Sequence, residues 1–390
     1  MLNKIKIIHL LFSCYLGIMA FYLYTHQYYN VDIEAYMGLL YKTDSPQMDI
    51  KDIHNKVFKE LKKKRPGMFD ANLSKEEIAI GENTYYNILS KNTRAYEEEL
   101  QLFSVKPFYN FINYLFFKIG FDASTSTFLI SIISYILILI LVLKFLITIL
   151  KNHYLAVLFT ILLSLFKPLL DSSRHASPDN LSCLLLLLSF YFFVVKKNLY
   201  TATIFGMLCV LTRPEYFIFY SFFYIFIFIY KKSLDIKVKE LILSFVYILL
   251  SFSLIQYFNQ ISWSILFMNQ FTKVQIYPLS NPDVFDFSSY LNFIKSKMLF
   301  EFNSSYFLLL LIFIILILSN KFSLKNKDKI IPYFFFSVIY LSVLVRFVIF
   351  PSLANRMMIG FYLVIILSLI YIQCSKEDLF KKASQKITNI

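Results

Sequence analysis

The chain has 390 residues, of which 58% are hydrophobic and 19% are aromatic, and its formal net charge is +14. A soluble domain averages about 45–50% apolar residues, so this excess indicates a membrane protein. Glycine is rare and no GxGxxG or GxxxxGK[ST] stretch occurs, which excludes the common nucleotide-binding loops; no C-x-x-C or HExxH pattern suggests a zinc site.

The N-terminal segment is basic and then apolar, as in a signal peptide. Bulky residues follow Ala20 where a cleavage site would need small ones, so we interpret it as a retained first span. Including it, about ten apolar runs could cross a bilayer, which predicts an all-α polytopic fold. The runs cover residues 7–24, 125–150, 154–170, 181–195, 200–211, 216–230, 241–258, 306–318, 330–350 and 357–372.

Lysines and arginines flank every second boundary of these runs, from Lys4 and Lys6 to the lysines after residue 375. The positive-inside rule makes these the cytoplasmic ends. We therefore expect a multi-pass protein of the plasma (inner) membrane with both termini cytoplasmic. The positive charge is then explained by membrane topology and by contact with anionic lipid head groups. Nucleic acid is not an expected partner.

The first external segment, residues 27–106, is too long for a structureless loop and is predicted to be helical, embedded in a single membrane domain that spans residues 1–390. Apolar residues recur at helical spacing from Ile50 to Leu61 after Pro46, and Pro66 ends the run. Ser74 opens a capping box that predicts a second helix.

Three further features of the external side carry expectations. The run from Lys62 to Arg65 is a solvated helix face or a contact for phospholipid or lipid-linked phosphate. Residues 107–120 are amphipathic and too short to span, which favours an interfacial helix. Residues 261–303 read as an irregular external segment.

The unusual polar motifs all fall on the predicted external side. They are Asp32-Ile33-Glu34-Ala35-Tyr36, Lys106-Pro107, the stretch from Asp171 to Asp179, Thr212-Arg213-Pro214-Glu215 and Pro351 to Arg356. Acidic residues at a membrane edge are costly and tend to be functional. This segregation predicts one polar site on the extracytoplasmic side.

Four ordered stretches give the sequence a resemblance to the GT-C glycosyltransferases, the polyprenyl-phosphate-sugar-dependent class that includes protein O-mannosyltransferases and lipid A aminoarabinose transferases. They are the motif from Asp32 to Tyr36, Ser104 to Tyr109, Ala176 to Leu181 and Leu211 to Glu215; Asn355-Arg356 is a weaker fifth. The resemblance implies inverting transfer of a sugar from a polyprenyl phosphate to an external acceptor.

By position, the resemblance makes Asp32 the base that takes the acceptor proton. Glu34 is the second candidate, as an assisting group, as a cation ligand or as the base itself. No cofactor is required by the sequence, and a divalent cation at Asp32 and Glu34 is left open.

Arginine and lysine suit the leaving phosphate, and the candidates are Arg213, Arg356, Arg174 and Lys106. Tyr36 is a candidate for stacking on the sugar, and Glu215 is a partner for Arg213 or Arg174.

Two further charged residues have plainer interpretations. Asp179 caps the start of a helix, and Arg346 lies deep in a span, where it should face protein and either pair with an acid or reach the site.

Two other functions compete with the glycosyltransferase interpretation. An O-antigen-type polymerase or ligase also joins lipid-linked sugars, but usually has its large external loop late in the chain. A flippase or transporter places charges at the bilayer midplane, whereas here only Arg346 lies deep. The sugar and the acceptor, whether glycan, lipid or protein, are not readable from the sequence.

Overall fold

The computed structural model describes residues 2–30, 32–66, 79–80, 83–259, 261–272, 274–319 and 327–387. Within these ranges the chain is all-helical, as predicted, apart from one antiparallel pair of two-residue strands, β1 (Ala79–Ile80) and β2 (Asn83–Thr84). The first ten helices are α1 (Leu2–Thr25), α2 (Asp32–Asp44), α3 (Ile50–Lys64), α4 (Tyr85–Lys91), α5 (Thr93–Phe103), α6 (Pro107–Ile119), α7 (Ala123–Leu150), α8 (His153–Ser164), α9 (Lys167–Ser173) and α10 (Asp179–Val194). The others are α11 (Leu199–Thr212), α12 (Tyr216–Leu234), α13 (Val238–Phe258), α14 (Trp263–Phe267), α15 (Phe287–Ser304), α16 (Phe307–Ser319), α17 (Lys327–Ile349) and α18 (Ile359–Ile387), with a π-helical turn at Met268–Thr272.

The apolar helices are those of a membrane-embedded protein. Among the described residues, α1, α7, α12 and α13 are each long and apolar enough to cross a bilayer alone. Two bent pairs, α8 with α9 and α15 with α16, bring the number to as many as six, and α10, α11, α17 and α18 contribute shorter apolar helices. Nine of the ten predicted runs thus coincide with one helix each, and the run over residues 154–170 is divided between α8 and α9; ten complete spans remain a prediction.

The bend of 64° between α8 and α9 has a clear cause in the sequence. Pro168 stands at the second position of α9, and proline cannot donate a backbone hydrogen bond to the preceding turn. The apolar run from residue 154 to residue 170 is therefore broken near its C-terminal end.

A second, smaller core forms within the first segment predicted to be external, where α2 to α5 pack together. The predicted helix after Pro46 is confirmed as α3, which Asp49 caps and which buries Ile53, Val57 and Leu61 on one face. The predicted capping box at Ser74 lies outside the described residues. The region therefore has a helical core of its own, as its length suggested.

Gly38 allows α2 to approach α5 closely. A Cβ at this position would overlap the Tyr96 hydroxyl and would lie 2.7 Å from Leu100 Cδ2. The Tyr96 hydroxyl in turn donates to the backbone carbonyl of Glu34, at 2.8 Å. This contact sets the position of α2, and α2 carries Asp32 at its first residue.

The membrane part is centred on α10, which is buried almost along its whole length and packs against α7, α11 and α18. A helix that is apolar on all sides is suited to such a central position. The predicted helix after Lys106 is confirmed as α6, which ends at Gly120 with φ of 114° and exposes Phe111 and Ile119. Its position at the bilayer interface remains a prediction.

The expectation of an irregular segment over residues 261–303 was wrong. Most of it is helical, and α15 runs for 18 residues from a cap in which Asp286 accepts from the backbone N–H of Ser289 at 2.7 Å. Its lysines lie among phenylalanines without a clear apolar face, so the periodicity that identifies a helix was hidden.

Candidate functional site

Charged side chains from six separate helix ends meet at one end of the bundle. They line a cavity of about 720 Å³ together with an apolar wall. The contributing positions are the start of α2, the start of α6, the start of α10, the turn between α11 and α12, the last turn of α17 and the turn before α18. The charged lining residues are Asp32, Lys106, Asp179, Arg213, Glu215, Arg346 and Arg356.

Asp32 and Arg356, which are 324 residues apart in sequence, form an ion pair in this cavity. Arg356 Nη1 lies 3.3 Å from Asp32 Oδ2, and Asn30 Nδ2 donates to the same oxygen at 2.7 Å. Asp32 Oδ1 accepts no hydrogen bond from the residues that the structure describes. One carboxylate oxygen is therefore held in place while the other is available to a ligand.

Arg213 is clamped between two carboxylates at the base of the site. Its Nη1 donates to Asp179. Its Nε and Nη2 both donate to Glu215, and the Nε bond is 2.8 Å long. The Ser177 hydroxyl donates to Asp179 at 3.0 Å. Two carboxylates already take three of the five N–H groups of this guanidinium and neutralise its charge, so it attracts an added anion less than a singly paired arginine would.

Arg346 is less completely paired than Arg213. Its Nη1 donates to the Ser352 carbonyl at 2.5 Å, and its Nη2 lies 3.9 Å from Glu215, beyond hydrogen-bonding distance. Its buried Nε–H has no partner among the described residues. A buried charged donor without a hydrogen-bond partner is costly, so this N–H group indicates that a polar ligand or water binds in the cavity.

Lys106 directly precedes α6, and its side chain lies against aromatic rings. Its Nζ donates to the Tyr36 hydroxyl at 2.7 Å and lies 4.6 Å from the centre of the Phe103 ring. Burial lowers the pKa of Lys106 because the charged ammonium is partly removed from water. Tyr36 is fully buried behind this lysine and is not itself in the cavity wall.

The cavity carries more positive than negative groups. Four cations face three carboxylates, which leaves one positive charge when all are ionised. A low-dielectric site with excess positive charge favours an anion such as a phosphate. Arg356 and Arg346 are better placed to bind it than Arg213, since their own distances to carboxylates are longer.

The opposite side of the cavity is apolar. Its residues come mainly from α12, α13 and α14 and include Phe217, Phe252, Ile255, Trp263 and Leu266. The other face of α13 is exposed at large hydrophobic residues, among them Leu254, Tyr257 and Phe258. The cavity therefore lies one helix away from the lipid-facing surface.

Glu34 does not reach the cavity. Because α2 begins at Asp32, Glu34 is two residues further along a helix and points about 200° away from Asp32. It is fully buried, and no described residue makes a well-formed hydrogen bond to its carboxylate; the nearby Tyr86 hydroxyl donates to the Asn30 carbonyl instead. Burial raises the pKa of Glu34 well above its usual value, and Glu99 adds to the rise.

Arg174 also lies outside the cavity. Its Nε donates to the His26 carbonyl at 2.7 Å, and its own carbonyl accepts from the Tyr28 backbone N–H at 2.8 Å. The residue ties the turn after α9 to the segment after α1, where Tyr28 and His175 form a parallel bridge. We interpret its role as fixing the position of the segment that leads into α2.

Sequence reasoning underrated two residues that the structure brings into the cavity. Asp179 does stand in the first turn of α10, but its carboxylate pairs with Arg213 and lies 3.7 Å from Arg356 Nε. Arg346 was expected to face protein and either to pair with an acid or to reach the site, and it does line the cavity. The sequence does show an acidic residue directly after a proline and arginines at other helix ends. No local pattern, however, indicates which arginine pairs with which acid.

A divalent cation shared by Asp32 and Glu34 does not fit this geometry. The two carboxylates point to opposite faces of α2, and Asp32 Oδ2 already faces a guanidinium. No cluster of three or more histidine, cysteine or acidic side chains suited to a metal occurs among the described residues.

The chain was compared with known proteins in three ways. No protein-family model, curated protein or solved structure matches it, so the chemistry of the site has to be argued from its own residues.

Proposed function

We propose that this protein is an integral membrane glycosyltransferase that moves a sugar from a polyprenyl phosphate to an acceptor hydroxyl, with Asp32 as the base. The observation that carries the proposal is the cavity itself. It combines a carboxylate, a cluster of cations and an apolar wall, which are the three surfaces that a lipid-linked sugar phosphate and a hydroxyl acceptor require.

In the proposed reaction Asp32 takes the proton from the acceptor hydroxyl as its oxygen attacks the anomeric carbon. A new carbon–oxygen bond forms on one face of the sugar while the bond to the phosphate oxygen breaks on the other face, so the configuration inverts. The leaving phosphate keeps the bonding electron pair. Asp32 Oδ2 is held by Asn30 and Arg356, which leaves Oδ1 for the proton.

Negative charge that develops on the leaving phosphate needs positioned cations. Arg356 and Arg346 can turn toward an anion because their present pairings are long or incomplete, and Lys106 lies on the same cavity. Arg213, expected from the sequence to bind phosphate, is instead assigned to holding Asp179 and Glu215 in place.

The apolar wall supports a lipid-linked rather than a soluble donor. A nucleotide sugar would bring a second polar group to bury, whereas a polyprenyl chain would lie along Phe217, Phe252 and Ile255. Apolar burial contributes about 25 cal/mol per Å². The polyprenyl chain would then extend from the site past α13 into the bilayer.

The experiment is a transfer assay on the purified full-length protein with short-chain polyprenyl-phosphate sugars and a panel of hydroxyl acceptors. Asp32→Asn is expected to lower the rate by about 100- to 10,000-fold, the contribution of a general base. The matched control is Asp44→Asn at the other end of α2, where the carboxylate pairs with Lys118 at 2.5 Å outside the cavity.

Full activity of Asp32→Asn at normal expression, with Asp44→Asn also active, would refute the assignment of the base. A wild-type protein that translocates the lipid-linked sugar across vesicles without forming product would refute the enzymatic function in favour of a flippase.

A further inference from the structure

Two features at the ends of α1 and α7 play no part in the central cavity. One is the basic end of α3, which comprises Lys62, Lys63, Lys64 and Arg65. The other is an apolar groove of about 420 Å³ between α1 and α7. Their relative position shows that they form one surface.

The basic end of α3 is fixed to the ends of both membrane helices. Lys64 Nζ donates to Asp122 Oδ1 at 2.5 Å and to Thr125 Oγ1 at 3.0 Å, and Asp122 caps the start of α7. The Arg65 guanidinium lies 5.7 Å from the centre of the Tyr29 ring, four residues after the end of α1. These contacts place the cluster where the two helices leave the bilayer.

The groove begins about one helical turn below this cluster. Thr125, Leu129, Ile132 and Ile136 follow one stripe of α7, because their spacings of four, three and four residues match the helical repeat. Leu129, Ile132 and Ile136 line the groove, and Lys64 contacts Thr125 at the top of the same stripe. With a rise of about 1.5 Å per residue, Leu129 lies roughly 6 Å from Thr125 along the axis.

The α1 side of the groove is formed by Phe21 and Tyr24, both exposed on the described surface. The groove opens on the outside of the bundle, where the bilayer itself is the solvent. Its walls carry apolar side chains, so an alkyl chain fits and a polar ligand does not.

The mouth of the groove retains positive charge after its local acids are counted. Asp122 pairs with Lys64, and Glu60 accepts from the Ser124 backbone N–H and the Tyr41 hydroxyl, each at 2.9 Å. Lys63 and Arg65 remain exposed to solvent. Juxtamembrane lysines and arginines each gain about 1 kcal/mol from anionic head groups.

We propose that this surface binds one anionic glycerophospholipid, with its phosphate at Lys63 and Arg65 and an acyl chain in the groove between α1 and α7. Charge complementarity at the mouth and an apolar channel directly beneath it select a molecule with an anionic head and an alkyl tail. The proposal is independent of the transfer reaction, because none of these residues lines the central cavity.

The test uses the full-length protein in nanodiscs of mixed phosphatidylglycerol and phosphatidylcholine, followed by detergent extraction and native mass spectrometry of the lipids that remain bound. The double variant Lys63→Gln/Arg65→Gln is expected to retain about 30-fold less phosphatidylglycerol, from roughly 1 kcal/mol for each charge. Lys51→Gln/Lys56→Gln is the matched control, since it removes two exposed charges from the first half of the same helix.

A second variant separates a specific site from diffuse attraction. Ile133→Trp fills the groove without changing any charge and is expected to reduce bound phosphatidylglycerol while the melting temperature stays near that of the wild type. Three results would overturn the proposal: equal retention by the double variant and its control, full retention by Ile133→Trp, or displacement of phosphatidylglycerol by an equimolar short-chain polyprenyl phosphate.

Discussion

Two carboxylates in one helix of this protein have opposite surroundings. Asp32 opens the helix α2, faces the cavity and lies 3.3 Å from the Arg356 guanidinium, whereas Glu34 is buried beside Glu99 and behind Tyr85 and Tyr86. No cation forms an ion pair with Glu34 or Glu99 among the residues that the structure describes. The carboxylate of Asp32 thus belongs to a charged site, whereas that of Glu34 belongs to a core without a paired cation.

The difference follows from helix geometry and from the cost of burying charge. Side chains two residues apart on a helix point to opposite faces, so only one of them can face the cavity. A buried carboxylate without a cation lowers its free energy by taking up a proton. Burial accordingly raises the pKa of Glu99 to about 7, although the Tyr85 hydroxyl donates to its carboxylate at 2.6 Å and opposes the rise.

Removing the cation from the charged side should have the largest effect. We expect Arg356→Gln to lower kcat/KM for a polyprenyl-phosphate sugar by about 100- to 1,000-fold, the loss typical of one positioned donor to developing charge. Arg356→Lys keeps the charge but not the two-pronged geometry, and should recover part of the rate. Steady-state kinetics of the two variants provide the measurement, and equal rates for wild type and Arg356→Gln would remove this residue from the site.

The neutral side should respond in stability and in its dependence on pH. A carboxyl group with a raised native pKa favours folding below its unfolded value near 4.5, and that contribution is lost as pH rises toward the native value of about 7. The shift corresponds to about 3 kcal/mol. Glu99→Gln should therefore match the wild type at pH 4.5 and exceed its unfolding free energy at pH 8.

Thermal unfolding of the purified protein at the two pH values measures this effect. Glu97→Gln is the matched control, because Glu97 lies two residues earlier on α5 and is exposed. A Glu99→Gln variant that is no more stable than the wild type at pH 8 would show that this carboxylate is ionised and paired after all.

Disturbing the close packing of α2 against α5 should have the smallest effect. Gly38→Ala would force a methyl group against Tyr96 and Leu100, so we expect a loss of about 1–3 kcal/mol from overpacking. Gly17→Ala in α1 is the control, since no atom lies within 4 Å of its added Cβ. Thermal unfolding distinguishes the two, and equal melting temperatures would mean that α2 can shift without cost.

Local patterns in the sequence were sufficient for most of the helices. The run from Ile50 to Leu61 and the apolar stretches all correspond to helices, and Pro66 follows the end of α3, because amphipathic period, caps and hydrophobic length act over a few neighbouring residues. The pattern failed at α15, whose mixed aromatic and basic composition has no clear face.

By itself the sequence determined that this chain is helical, rich in membrane-type segments and polar at one set of helix ends. Only the tertiary structure decided that Asp32 meets Arg356, that Arg213 is occupied by Asp179 and Glu215, and that Glu34 turns away into the core. The physical reason is that helix formation depends on near neighbours, whereas an ion pair between residues 324 positions apart depends on how whole helices pack.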